Sequence, residues 1–197
     1  LLHMNGNVND SSGNGNNGAI TGDVNCSATG KFNQGCEFDG DGDYIAIPGT
    51  SDILENKSGL TISAWIYGNT AEPISSRYIM TQATSTVLQF YWEDAFYDII
   101  RCGLANSTLI ATSYGNNDFN PLGVWTHVAC VYNGTNVLLY IDGVLQSTVG
   151  TLTGPTQSST GNITISGGTG LLSWNGTTDE VAIWNRTLTS QEILTLN

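Results

Sequence analysis

Trp92, Glu93 and Asp94 are consecutive, so one large aromatic ring lies next to two carboxylates, and Tyr97 follows closely. Trp174 sits among Gly and Asn, in a loop between two strand-like runs. Such groups suit a specific chemistry. A flat ring packs on the apolar face of a sugar, and carboxylates or amides beside it bind the hydroxyls. The expected ligand-binding set is therefore Trp92, Glu93, Asp94, Tyr97 and Trp174, within a stretch that also holds Tyr91, Phe96 and Tyr114. Trp65, Trp125 and Trp184 lie inside strand motifs, where core packing is the expected role.

Catalytic arrangements are hard to assemble from this sequence. Glu93 and Asp94 are adjacent, as are Asp179 and Glu180, and neighbours in a strand point to opposite faces. A Ser-His-Asp triad would need His3 or His127, and no Gly-x-Ser-x-Gly elbow occurs. His127 precedes Cys130 by one short step, but no second close pair of zinc ligands accompanies it. The reading is a non-catalytic binding domain.

Composition narrows the partners. The chain has 5 Lys+Arg against 17 Asp+Glu, for a net charge of −12. Nucleic acid needs clustered cations, so it is excluded as an expected partner, as are anionic membrane surfaces. No run of about 18 apolar residues offers a membrane span. The first residues, Leu1 to Met4, lack a basic region followed by an apolar one, and read as a mature or trimmed product. With 11% charged residues, the polar surface must come from Asn, Ser, Thr and Gly, as in extracellular β proteins.

Four cysteines allow three pairings. Cys26 and Cys36 bracket the turn-like Ala28 to Lys31, while Cys102 and Cys130 each lie in a strand-like run. The expected disulfides are Cys26–Cys36 and Cys102–Cys130, which imply an oxidising exterior, secreted or at the cell surface. Glycosylation acceptor triplets begin at Asn9, Asn25, Asn56, Asn106, Asn133, Asn162, Asn175 and Asn185.

The elements that must position these groups are strands. Apolar runs of roughly five to nine residues alternate with Gly/Asn/Ser/Thr/Pro turns from end to end. Strands are expected at 37–47, 60–67, 77–81, 87–92, 99–104, 108–113, 125–133, 136–141, 144–148, 162–166 and 178–185. Asn133-Gly134 and Asp142-Gly143 supply two hairpin turns, and so a three-stranded meander. Thr189 with Glu192 forms a capping box for one short C-terminal helix. Nothing divides the chain, which reads as one all-β, two-sheet antiparallel sandwich spanning 1–197.

Several motifs in order carry a family resemblance. Asp10 to Gly18 is followed by Phe38-Asp39-Gly40 and by Asp43 to Pro48; Leu60 to Ile66 comes next. Trp125 to Cys130 then runs into Tyr140 to Gly143, and Asp179 to Asn185 precedes Leu188 to Ile193. The chain resembles the laminin-G-like jellyroll domain of the concanavalin A-like lectin and glucanase superfamily. That resemblance implies two antiparallel sheets and, in many members, a structural calcium ion. Carried over residue by residue, its ligands would be Asn5, Gly40 and Asp179, with Asp10 as an addition. The segment Gly167 to Asn175 lacks the carboxylates of a pentraxin-type calcium pair, and the paired-carboxylate strand of related glucanases is missing. The resemblance does not fix a ligand; the expected partner is a glycan or a cell-surface protein. The alternative function is a structural or adhesive surface, filament or virion domain; a glycan-cleaving enzyme is a third.

Overall fold

A computed structural model describes residues 1–48, 51–69, 76–82, 87–93, 98–106, 110–115, 119–157, 161–167 and 173–197. The described strands form two antiparallel sheets. One has seven strands in the order β1 (Ala19–Thr21), β4 (Tyr44–Ile47), β14 (Ile163–Ile165), β6 (Ser76–Gln82), β7 (Leu88–Glu93), β8 (Ile99–Ala105) and β9 (Ile110–Tyr114). The other has eight. Its path is β12 (Val144–Leu145), β11 (Asn136–Ile141), β10 (Thr126–Tyr132), β5 (Leu60–Gly68), β15 (Asn175–Trp184), β3 (Gln34–Asp39) and β2 (Asn25–Thr29), with β13 (Gly150–Thr151) also paired to β11. This is the expected jellyroll sandwich.

Period-two alternation builds the core. In β7, Leu88, Phe90 and Trp92 are buried while Gln89, Tyr91 and Glu93 are half-buried on the opposite face. Ile62, Ile66, Phe38, Ile100, Cys102, Val128 and Leu139 are completely enclosed between the sheets. Cys102 of β8 is bonded to Cys130 of β10, so this disulfide staples one sheet to the other. Cys26–Cys36 links the adjacent β2 and β3.

The expected strand 37–47 is two strands. Gly40 and Gly42 both take positive φ angles, +88° and +81°, and turn the chain between β3 and β4. At the second hairpin both central residues adopt the positive φ of a tight turn, Asp142 at 46° and Gly143 at 75°. At the first, only Gly134 does (93°), and the Asn133 carboxamide oxygen accepts N–H bonds from Thr135 and Asn136 instead. The C-terminal helix α2 (Ser190–Leu194) carries the complete capping box of Thr189 and Glu192. It packs Ile193, with Leu188, on Ala129, Val131 and Tyr140, covering part of the outer face of the eight-stranded sheet. A second short helix, α1 (Ser51–Leu54), was not expected.

Chain start and end meet. Leu2 exchanges backbone hydrogen bonds with Val181 of β15, at 2.8 and 3.0 Å. Among the described residues no helix is long and apolar enough to cross a membrane.

Candidate functional site

The outward face of the seven-stranded sheet carries one continuous row of large polar-tipped side chains. Tyr78 of β6 lies opposite Tyr91 of β7, Tyr91 opposite Arg101 of β8, and Arg101 opposite Tyr114 of β9. Directly opposed residues point the same way, so all four project from one face. At a strand spacing of about 4.8 Å, the row spans roughly 14 Å.

The members hold one another in place. The Tyr78 and Tyr91 rings are 5.3 Å apart and tilted by 42°. Arg101 donates from Nε to the Glu93 carboxylate at 2.5 Å, and its guanidinium lies 5.2 Å from the centre of the Tyr114 ring. A charge-assisted bond and a cation–π contact therefore fix the guanidinium plane. Burial raises the Tyr91 hydroxyl above its ordinary value, keeping it a neutral donor. Tyr114 is 39% exposed, and Gln89 and Thr112 flank the row on the same face. Three tyrosine rings, a guanidinium, a carboxylate and an amide are thus presented together.

The expected ligand-binding set is corrected on this point. Trp92 (2% exposed) and Trp174 (0%) lie in the core, edge to face at 6.1 Å, so neither ring can present a face to a ligand. The reason for Trp92 is alternation: once Glu93 faces out, Trp92 must face in. Glu93 is brought to the outward row; Asp94 and Tyr97 lie outside the described residues. Of Trp65, Trp125 and Trp184, all expected in the core, only Trp65 is fully buried. Trp65 is buried on the outer face of the eight-stranded sheet, under Lys31, whose Nζ stands 3.7 Å from the ring centre. Trp125 is half-buried and packs on Tyr67 at 5.6 Å; Trp184 is half-buried beside α2.

A second site is acidic. Asp23, Asp39 and Asp43 each bring a carboxylate oxygen within 4.8 Å of the others. They line a cleft of about 260 Å³ with Asn25, Glu37, Asn69 and Asn175. Asp43 is buried and accepts the backbone N–H of Asp23 at 3.0 Å. Gly22 closes over it: a Cβ there would stand 1.9 Å from Asp43 Oδ1, and its φ is +88°. Burial, and then the charges of Asp39 and Asp23, raise the Asp43 carboxyl above the usual carboxylate range. Three acids held together, with no cationic side chain among the described residues that line the cleft, suit a hard divalent cation such as calcium, which prefers oxygen ligands.

The ligand set carried over by resemblance does not converge. Asp179 is buried and caps the turn between β2 and β3, accepting N–H bonds from Phe32 (2.9 Å) and Glu180 (2.8 Å). Burial pushes its carboxyl up to about 6 despite those bonds. Asn5 binds the same turn through the N–H of Gln34 at 3.0 Å. Gly40 lies at the far end of the β3–β15 pair, roughly 17 Å away at strand rise, where its carbonyl accepts from Arg77. Asp10 folds onto its own loop. Burial alone would raise that carboxyl, yet hydrogen bonds from Ser12 and Asn16 outweigh it and hold it well below the usual range. Of the four, only Gly40 adjoins the acidic cleft, through its neighbour Asp39.

The acceptor asparagines differ in access. Asn9, Asn25, Asn56, Asn133, Asn162 and Asn185 are exposed, whereas Asn106 and Asn175 are half-buried, and Asn106 donates to the Thr153 carbonyl.

Residues 39–194 match the family model Laminin_G_3, described as the concanavalin A-like lectin/glucanases superfamily. The chain belongs to that superfamily. No curated protein sequence matches it. Among solved structures, it is similar to domain 4 of AbnA, a GH43 extracellular arabinanase from Geobacillus stearothermophilus, solved in complex with arabinotriose. That likeness has a TM-score of 0.76 at 20% identity and covers 99% of this chain and 95% of that one. It is also similar to the binding domain of botulinum neurotoxin serotype G (TM-score 0.70, 13% identity, 95% of this chain). A botulinum neurotoxin type C structure, described as depending on two ganglioside molecules for cell entry, aligns with TM-score 0.73 at 17% identity over the whole chain. The chain spans 47% and 49% of those two toxin chains. At these identities the likeness speaks for the fold.

Proposed function

We propose that this chain is a non-catalytic carbohydrate-binding domain, secreted or displayed at a cell surface, with Tyr78, Tyr91, Arg101 and Tyr114 as its platform and Glu93 and Gln89 as polar partners. One observation carries the reading: the four platform residues stand in register across four strands on an outward face. Tyrosine and arginine are the side chains that give large contact area and directed hydrogen bonds at small entropic cost. The row is long enough for more than one sugar ring, so an oligosaccharide is the fitting ligand. Arabinotriose, bound by the arabinanase domain, and ganglioside glycans are the first probes.

Calcium belongs to this proposal as a structural ion. Asp23, Asp39 and Asp43 would hold it and thereby tie the turn after β1 to the β3–β4 turn. When bound, the ion supplies charge neutralisation to the cleft; Gly22 leaves the space in which Asp43 approaches it. No residue of the Tyr row lines the cleft, so calcium acts through the stability of the sandwich.

The test is a glycan array followed by calorimetry with arabinotriose and a ganglioside oligosaccharide. The expected outcome is saturable binding that Tyr91→Ala weakens at least tenfold. Absence of any glycan ligand, together with surface retention through protein contacts, would replace this reading with the adhesive one.

A further inference from the structure

The opposite face of the sandwich holds another cavity. On the outer face of the eight-stranded sheet, beside α2, about 270 Å³ is lined by Phe32, Ser63, Trp65, His127, Glu180 and Trp184, among others. Register brings these together: His127 of β10 lies opposite Trp65 of β5, and Ser63 lies opposite Ala182 of β15. The Trp65 ring is covered by Lys31 and packed on His127 at 5.3 Å, which leaves half-buried Trp184 as the open wall.

Two polar groups here are unusual. His127 is 1% exposed, and its Nδ1 is sealed with no hydrogen-bond partner among the described residues. The other ring nitrogen, Nε2, is then the one left for the cavity. Burial first, and the Lys31 charge second, pull this imidazole down to about 4, so it is neutral at pH 7. Glu180 stands at a β-bulge with a φ of +48°, a conformation that side-chain-bearing residues rarely take. Bulges re-aim side chains. This one places the Glu180 carboxylate at the cavity, 2.7 Å from His3 Nδ1.

We propose that this cavity is a second binding site, for a single neutral polyhydroxylated ring of monosaccharide size, packed on Trp184 and hydrogen-bonded to His127 Nε2 and Glu180. The volume lies below the ~300–1,000 Å³ of sites for larger ligands, which restricts it to one ring. Neutrality follows from the lining. Glu180 already faces His3, Lys31 already lies on Trp65, and the imidazole carries no charge at pH 7. The site shares no residue with the Tyr78–Tyr114 row and does not rest on it. A chain with both would be bivalent, presenting sugar sites on opposite faces.

The imidazole nitrogens and Trp184 indole of the whole chain can be followed by NMR at pH 7. Glucose, galactose, mannose, arabinose and N-acetylglucosamine are each titrated into the millimolar range. At least one should give a saturable shift at His127 Nε2 and Trp184. Glu180→Gln and Trp184→Phe, both checked for an unchanged fold, should each raise the apparent Kd at least fivefold, while Tyr91→Ala should leave it unchanged. No saturable shift with any of the five, or shifts that survive both cavity substitutions, would overturn the second site. Loss of the His127 shift in Tyr91→Ala would do so as well, by merging the two faces into one effect.

Discussion

Replacing Trp92 by alanine, and Tyr91 by alanine in a separate protein, perturbs consecutive residues of one strand with opposite expected consequences. Trp92 is 2% exposed and packs edge-on against Trp174 at 6.1 Å, so its removal leaves a cavity that the two sheets cannot close. Truncation of a buried Trp costs about 3–5 kcal/mol. For a chain of this size 1 kcal/mol corresponds to about 2–4 °C of Tm, so Trp92→Ala should melt about 6–20 °C lower. Tyr91 is half-buried and loses mainly its contact with Tyr78, worth about 0.5–1.5 kcal/mol, hence only a few degrees. Its effect belongs to binding: loss of a central aromatic anchor should cost about 1.4–2 kcal/mol, or at least tenfold in Kd. Differential scanning calorimetry and titration calorimetry, run on both proteins, separate the two. If Trp92→Ala kept its Tm and lost glycan while Tyr91→Ala did the reverse, the assignment of faces in β7 would be refuted.

Other outcomes follow from the same structure. Calcium at ~100 times its Kd should stabilise the chain by about 2.7 kcal/mol, so EDTA should lower Tm by about 5–10 °C in the native chain and have no effect in Asp43→Asn. An unchanged midpoint would remove the ion. Reduction of Cys102–Cys130, which closes a separation of 28 residues, should cost about 3–4 kcal/mol in urea titrations run with and without reductant. The His127 imidazole is pulled down to about 4, so the unfolded chain binds the extra proton between pH 6.5 and 4. That contribution to stability is complete above pH 6.5 and is lost as pH falls through this window. Asp179, raised to about 6, works in the opposite sense: its buried charge costs stability above pH 6 and is relieved on acidification toward 4. His127→Phe should therefore gain stability relative to the native chain by a few kcal/mol between pH 7 and pH 4, read as the pH dependence of the difference in unfolding free energy.

Much of the sandwich was legible because its strands announce themselves by turns. Asp142-Gly143 fixed one hairpin outright, and alternation in 60–67 gave β5 with both faces distinguished. The strands that were not legible, β1, β2 and β13, are short and carry no alternating apolar run; Ala19–Thr21 is exposed along its whole length, and only pairing with β4 makes it a strand. The site was legible in part. The aromatic stretch around 91–97 and the acid at 93 pointed to β7, the strand at the centre of the proposed platform. Size then drew attention to Trp92, although alternation puts Trp92 and Glu93 on opposite faces and groups Glu93 with Tyr91. That signal was present in the sequence. Arg101 was not recoverable, because only the β7–β8 register sets it opposite Tyr91. The cation site shows the same division. Asp39 and Asp43 flank a Gly-rich turn within one motif, but Asp23 joins them only after β1 has paired with β4.

The account stands most directly on where a glycan touches the chain. Backbone amide shifts should be mapped during a titration with arabinotriose, or with whichever oligosaccharide the array identifies. The largest saturable changes should fall on the outward residues of β6 to β9, centred on Tyr91 and Arg101, and should disappear in Tyr91→Ala. Changes confined to the loops around the acidic cleft, or spread evenly with no saturation, would contradict the platform and return the outer tyrosines to a purely structural role.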